Sequence, residues 1–369
     1  MTRIAIIGAG IVGAAIAYEL SLISGLDIIL LDEQEPSSGS TGGALGVLAG
    51  VIHRKGWTLR KASLERYETL IPELESRTGQ VIPYNRQGIL LLQSTETKEE
   101  SKKWNKLQRD RQDQGYRLER WNLEQLREKC LDLALENVIS AIYSPQDRQV
   151  HPRILTESLI KVACLNGVEC QFGVKVELFT PQVFTNGERD KIHLHQIQTS
   201  QGTISVDQVV ISAGIGSRQI TQSLGQPLDI RPVLGQALHL KLSQPLKNLE
   251  FQPIITSQDI HIVPLAFEEY WIGATIEFPS EKGEVYANAS LLETVLEQAI
   301  TVFPGLGEAQ ILSSWSAQRP RPEAELAPVI RELEGYDNVL LATGHYRNGV
   351  LLAPATALVI RDKVLSVLG

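Results

Sequence analysis

Cysteine is scarce in this sequence, with three among 369 residues. Cys130, Cys164 and Cys170 are odd in number and lack the spacing of metal ligands, so no metal site is expected and they fit reduced packing residues of a cytosolic protein. Excess positive charge is also missing. With a formal net charge of −8 the chain has no electrostatic footprint for nucleic acid, and its densest charged stretch, 99–120, mixes both signs as a solvated helix would. Long apolar runs are absent too. The apolar N-terminus is a strand broken by a glycine turn, too interrupted for a signal peptide or a membrane span, so the expectation is a soluble, cytoplasmic chain. No repeat or low-complexity tract occurs. The remaining composition, 43% hydrophobic and 21% charged, is that of an ordinary globular enzyme, and the length suggests two domains.

What is present is concentrated at the start. Arg3 to Ile7 is a short apolar strand, Gly8-Ala9-Gly10-Ile11-Val12-Gly13 a glycine-rich turn, Ile11 to Ile23 an apolar helix, and Asp27 to Leu31 a second strand closed by Asp32 and Glu33. In such a unit the first glycine makes the turn, the second admits a pyrophosphate, and the third lets helix pack on strand. The phosphate lies at the helix N-terminus, where free N–H groups and the helix dipole favour negative charge. Asp32, nineteen residues after Gly13, stands where an acid accepts hydrogen bonds from an adenosine ribose. The unit therefore predicts a dinucleotide, leaving FAD or NAD open.

A loop of small residues follows, 37–50, in which Leu45, Val47 and Leu48 are too apolar for a solvated linker and suit backbone packed on a ligand. Periodicity predicts helices over 58–77, 99–114 and 154–164, the last opened by Pro152 in its first turn. Strands are predicted over 88–93, 174–179, 191–198 and 206–212. The middle of the chain reads as an antiparallel sheet, with strands over 236–242, 259–263, 270–275 and 311–317 and a helix over 290–303. A strand at 339–342 and a helix from about Arg347 to Val367 end the chain. The alternation suggests a doubly wound nucleotide domain interrupted twice by a sheet-and-helix domain.

Several of these segments together carry a resemblance. Gly8 to Gly13, Ala44 to Leu48, Ala213-Gly214 with Ser217, Pro232 with Gly235-Gln236, Trp315 with Arg319-Pro320, and the run from Gly344 to Pro354 are similar, in order and from end to end, to the glycine oxidase and D-amino-acid oxidase family of flavoproteins. The resemblance implies an α/β fold: a Rossmann-like FAD-binding domain, 1–85, 147–225 and 325–369, interrupted by an α+β substrate domain with an antiparallel sheet, 86–146 and 226–324. It implies noncovalent FAD rather than NAD, held by Gly8, Gly10, Ile11, Val12, Gly13, Asp32 and Glu33 at the first turn. Ser40, Thr41, Ala44, Gly46, Val47 and Leu48 follow in the small-residue loop, then Val176 through its backbone, Ala213 and Gly214, with Arg319 alongside. At the other end it implies Gly344, Tyr346, Arg347, Asn348, Gly349 and Val350, whose helix start favours the negative charge of a reduced flavin.

The activity implied is oxidation of an amine beside a carboxylate: glycine or a small D- or N-alkyl amino acid. A planar guanidinium fixes a carboxylate bidentately. Arg319, placed after a predicted strand, is the first candidate anchor and Arg347 the second. His261 stands where many relatives place a tyrosine that touches the substrate; His345 either lies near the flavin or fills space. Gly216 replaces a large aromatic, and the stretch 321–327 replaces a glycine-and-aspartate loop, both at the expected pocket wall. Hydride transfer from Cα to flavin needs orientation more than a base. The imine product would hydrolyse, and oxygen or a quinone would reoxidise the flavin. A dehydrogenase feeding a carrier, and a flavin-binding protein with degenerate catalysis, are alternatives. A homo-oligomer is left open.

Overall fold

The computed structural model describes residues 1–186, 189–280 and 283–368, with the side chains of 183–186, 189, 190 and 368 outside the description. The apolar segment at the N-terminus forms the strand Thr2–Ile7, central in a six-stranded sheet. The order across it is Val329–Glu332, Val339–Thr343, Gln208–Ile211, Thr2–Ile7, Leu26–Asp32 and Glu169–Phe172. All neighbours run parallel except the first pair. Strands covered on both faces lose alternation, which is why Ile4 to Ile7 reads as a continuous apolar run.

One face of this sheet packs on the helices Ile11–Ser21, Trp57–Thr78, Pro152–Leu165 and Gly349–Leu368. Ile4, Ile6, Leu30, Ile16, Leu155 and Ile360 meet in that core. Pro152 opens its helix as expected, and the His151 ring nitrogen accepts from Ile154 N at 3.4 Å. The opposite face, with Ala5, Ile29 and Val209, packs on Val174 and on Leu194 and Ile197 of a hairpin, Val176–Asn186 and Arg189–Thr199. The hairpin extends beyond the predicted strands 174–179 and 191–198, its backbone pairing running out to Asn186 opposite Arg189.

A second sheet has eight strands, ordered Gln310–Pro322, Ile230–Lys241, Glu269–Gly273, Ile260–Pro264, Ile254–Ser257, Ile89–Gln93, Ser140–Ser144 and Glu119–Trp121. Only Ile254–Ser257 with Ile89–Gln93 is a parallel pair among these neighbours. The helix Ala289–Val302 covers one face, where Val295 and Ala299 meet Leu90, Leu238 and Ile272. Its strands all fall within 86–146 and 226–324, and those of the six-stranded sheet within 1–85, 147–225 and 325–369.

One expectation needs correction. Arg319 does not follow a strand; it lies on one, because the segment expected to stop at Ala317 continues to Pro322, pairing Arg319 opposite Val233. Two prolines are tolerated there since this strand forms the sheet edge and needs no donors on its outer side. Among the described residues no helix is long and apolar enough to cross a membrane.

Candidate active site

Gly8 carries φ +109, and a Cβ there would come within 2.7 Å of the Ser212 carbonyl oxygen, so the turn closes against the next parallel strand only with glycine. Gly10 differs. A Cβ at Gly10 would meet only Thr41 Oγ1, at 3.2 Å, leaving open the space in front of the helix start. Thr41 Oγ1 accepts from Ile11 N at 3.0 Å, while the N–H groups of Val12 and Gly13 have no acceptor among the described residues. Orphan donors behind an open glycine fit a pyrophosphate. Asp32 accepts from Ala9 N at 2.6 Å and Gln34 N at 2.9 Å, one bond to each oxygen. Each oxygen retains acceptor capacity for a ribose hydroxyl. Glu33 is exposed beside it. Val174 N donates to the Asp32 carbonyl, and Val176 lies two residues further on, half-buried and opposite Thr199 in the hairpin sheet.

The small-residue loop ties the two sheets together. Ser40 donates its hydroxyl to the Gln318 carbonyl at 2.5 Å, and Trp315 Nε1 donates to the Gly43 carbonyl at 3.1 Å. Ala44 follows, Gly46 accepts from Val150 N, and Val47 and Leu48 pair with Gln149 and Arg148. The Ala213-Gly214 turn is fixed from the C-terminal side: Thr343 Oγ1 donates to the Gly214 carbonyl at 3.3 Å and lies 2.8 Å from Ser217 Oγ. Gly216 ends that turn, half-buried.

The C-terminal turn is gripped by residues that the sequence did not single out. Arg60, buried at the start of its helix, donates to Asn348 Oδ1 at 3.0 Å and to the Ala49 carbonyl at 2.8 Å. Tyr67 donates to the Val350 carbonyl at 2.5 Å. Tyr346, between Gly344 and Gly349, holds φ +51, a left-handed conformation uncommon for a bulky residue. Below this turn, fully buried Asp147 accepts from Gly50 N, Val51 N and Ile52 N at 2.7, 2.7 and 3.1 Å. Burial raises its carboxyl pKa even though those hydrogen bonds oppose the shift. Arg111 donates to the Val51 carbonyl at 3.0 Å and the His53 carbonyl at 2.5 Å. No local signal marked Asp147, Arg60 or Arg111: an acid in a loop and arginines in helices look solvated until the chain folds.

Arg319, Arg347 and His261 converge. Arg319 is half-buried, and its Nη1 donates to the carbonyls of Thr275 at 3.0 Å and Leu234 at 3.3 Å. No carboxylate reaches it within ion-pair distance among the described residues. Burial, then the charge of Arg347, lowers its pKa. Arg347 is more open, its Nη1 3.6 Å from Oδ1 of exposed Asp259. His261 Nδ1 lies 2.9 Å from Thr256 Oγ1, and burial followed by Arg347 and His53 pushes its pKa down to about 4. His53 shows much surface yet is also pushed to about 4, by burial of its ring and then by Arg60 and Arg347. His345 is buried with Nε2 3.0 Å from Thr356 Oγ1, so it ties the turn to the last helix.

The family described as DAO, FAD dependent oxidoreductase, matches residues 3–363. The chain belongs to the FAD dependent oxidoreductase family. This flavoprotein is 30% identical to the bifunctional protein ThiO/ThiG of Nostoc sp. over 99% of its own length and 53% of that protein. It thus spans about half the length of the first curated relatives it matches. It is 27% identical to the glycine oxidase of Geobacillus kaustophilus, over 98% of this chain and 92% of that one. The crystal structure of glycine oxidase from Bacillus cereus superposes with a TM-score of 0.84 at 26% identity, covering 99% and 95% of the two chains. FAD is therefore the dinucleotide that the first turn left open, and the orphan N–H groups of Val12 and Gly13 with the open side of Gly10 fit it. The stretch 321–327 places Arg321 over the Phe278 ring at 5.2 Å and pairs Glu325 with Arg331 at 2.9 Å.

Proposed function

We propose that this flavoprotein oxidises the amine of glycine or of a small D- or N-alkyl amino acid, with oxygen as the final electron acceptor. The observation that carries this reading is Arg319: a partly desolvated cation, held by two backbone carbonyls and lacking a counter-carboxylate among the described residues. Burial of a charge without a partner is costly, and a substrate carboxylate relieves that cost through charge-assisted bonds. Relatives named glycine oxidase support the small substrate.

FAD, when bound, supplies the two-electron acceptor. Its phosphates would meet Gly10, Val12 and Gly13, its ribose Asp32, and its ring the Gly344–Val350 turn. The free edge of Arg319 then fixes the carboxylate and so sets the position of Cα relative to the cofactor. Arg347, tied loosely to Asp259, adds a second positive charge near Arg319. His261 is neutral at physiological pH and so offers a hydrogen bond without charge. Orientation of this kind is worth up to about 7–11 kcal/mol in favourable cases, so the reaction requires no dedicated base. Water completes the reaction by hydrolysing the imine to an oxo acid and ammonia or an alkylamine.

The test is turnover in air with glycine, N-methylglycine and D-alanine, measuring peroxide and oxo acid together. Equal amounts of both are expected. Turnover that requires an added quinone and yields no peroxide would replace oxygen by a carrier, and no turnover with any of the three would overturn the substrate assignment.

A further inference from the structure

From the sequence all three cysteines are expected to be packing residues, but the fold separates them into one and two. Cys130 is buried alone in the core of the eight-stranded sheet. Cys164, in the last turn of the helix Pro152–Leu165, is exposed, and its Sγ lies 2.7 Å from Sγ of Cys170 on the edge strand Glu169–Phe172. The connection between them is a closed, hydrogen-bonded turn. Asn166 N donates to the Val162 and Ala163 carbonyls, Gly167 N to Cys164, and Val168 N back to Ala163, with Gly167 at φ +101. Backbone bonding therefore holds the two thiols together. Cys170 sits opposite Leu30 on the strand that ends in Asp32, so the pair joins a surface helix to the sheet edge on the adenosine side.

We propose that Cys164 and Cys170 form an oxidation site for hydroperoxides, closing into an intramolecular disulfide. Burial and the adjacent Cys164 sulfur raise the Cys170 thiol well above its ordinary pKa, so exposed Cys164 is the attacking sulfur. The Cys164 thiolate attacks one peroxide oxygen, the O–O bond breaks, and hydroxide leaves to be protonated to water, giving a sulfenic acid. The Cys170 sulfur then displaces that hydroxyl as its own proton leaves with it, forming the S–S bond and a second water. Two thiols lose two electrons in all, and one peroxide gains them. An oxidase of the kind proposed above would release such a peroxide, but the chemistry of the pair does not depend on that reading.

The holoenzyme, without substrate, is treated with hydrogen peroxide, alkylated under denaturing conditions, and cleaved after glutamate, which separates the two cysteines at Glu169. The expected result is a protein two hydrogens lighter, with the Cys164 and Cys170 peptides joined, Cys130 still alkylated, and full reversal by dithiothreitol. In Cys170→Ser a dimedone-reactive sulfenic acid accumulates at Cys164, whereas in Cys164→Ser oxidation of Cys170 is about tenfold slower or more. Three intact thiols in the wild type, a bond joining two copies, or overoxidation of Cys164 with Cys170 still free would each overturn the proposal.

Discussion

Arg319 donates to the Thr275 carbonyl at 3.0 Å, and Thr275 is itself held by Glu277, whose Oε1 accepts from Thr275 Oγ1 at 2.5 Å and from Gln236 Nε2 at 2.9 Å. Glu277 thus fixes the carbonyl that orients the guanidinium without forming an ion pair with it. Nη1 of Arg319 is spent on the Thr275 and Leu234 carbonyls, while its other nitrogens have no hydrogen-bond partner among the described residues. Arg319→Leu should raise KM and lower kcat/KM about a hundredfold or more, the loss of two charge-assisted hydrogen bonds, with bound FAD unchanged. Steady-state kinetics beside the flavin-to-protein ratio check this; unaltered KM would remove the anchor role.

Gly10 and Gly13 should separate cofactor binding from folding. A Cβ at Gly10 meets only Thr41 Oγ1 at 3.2 Å, whereas one at Gly13 would run into the Gly8 carbonyl and stand 2.7 Å from Ser212 Oγ. Gly10→Ala should fold with an ordinary circular dichroism spectrum yet lose FAD on dialysis, while Gly13→Ala should lower the melting temperature of the apoprotein itself. Full flavin retention by Gly10→Ala would count against a pyrophosphate at that turn.

Asp147 tests how the loop below the C-terminal turn is held. Asp147→Ala leaves three buried N–H groups unpaired, a cost of about 3 kcal/mol or more, and Asp147→Asn should cost less because its amide oxygen can still accept. Because burial raises the folded carboxyl pKa, this group's contribution is greatest at acid pH and is lost as pH rises through the folded pKa. Denaturant unfolding of the three proteins at two pH values measures both effects.

How far these sites could be read in advance follows from where their contacts lie. The strand, turn and helix from Thr2 to Asp32 were legible because Gly8, Gly13 and Asp32 meet within one contiguous unit. Glu169–Phe172, at the sheet edge, carries too few apolar residues to register as a strand. Arg319 was legible as a residue but not as part of a strand, because its pairing with Val233 is eighty-six positions away and prolines flank it. Asp147 and Arg60 acquire meaning only when loop 49–52 and the turn at Asn348 are brought against them. Neither has a neighbour in sequence that would announce this.

Three histidines predict a direction for acid stability. His53, His261 and His345 each fall from an ordinary 6.5 to about 4, with burial the largest cause in all three. Between those values the unfolded chain binds protons that the folded chain does not, so their contribution is complete above pH 6.5 and is lost as pH falls toward about 4. The melting temperature should therefore drop between about pH 7 and about pH 5, and His345→Gln should flatten that slope. An unchanged slope would show that buried His345 carries no part of it.

The central claim, that Arg319 presents an amino acid to FAD by its carboxylate, is tested most directly by anaerobic bleaching of the flavin. Glycine, N-methylglycine or D-alanine should bleach the wild-type spectrum, methylamine should not, and Arg319→Leu should require far higher concentrations of the same amino acids. Bleaching by methylamine as readily as by glycine, or equal bleaching in Arg319→Leu, would contradict the account.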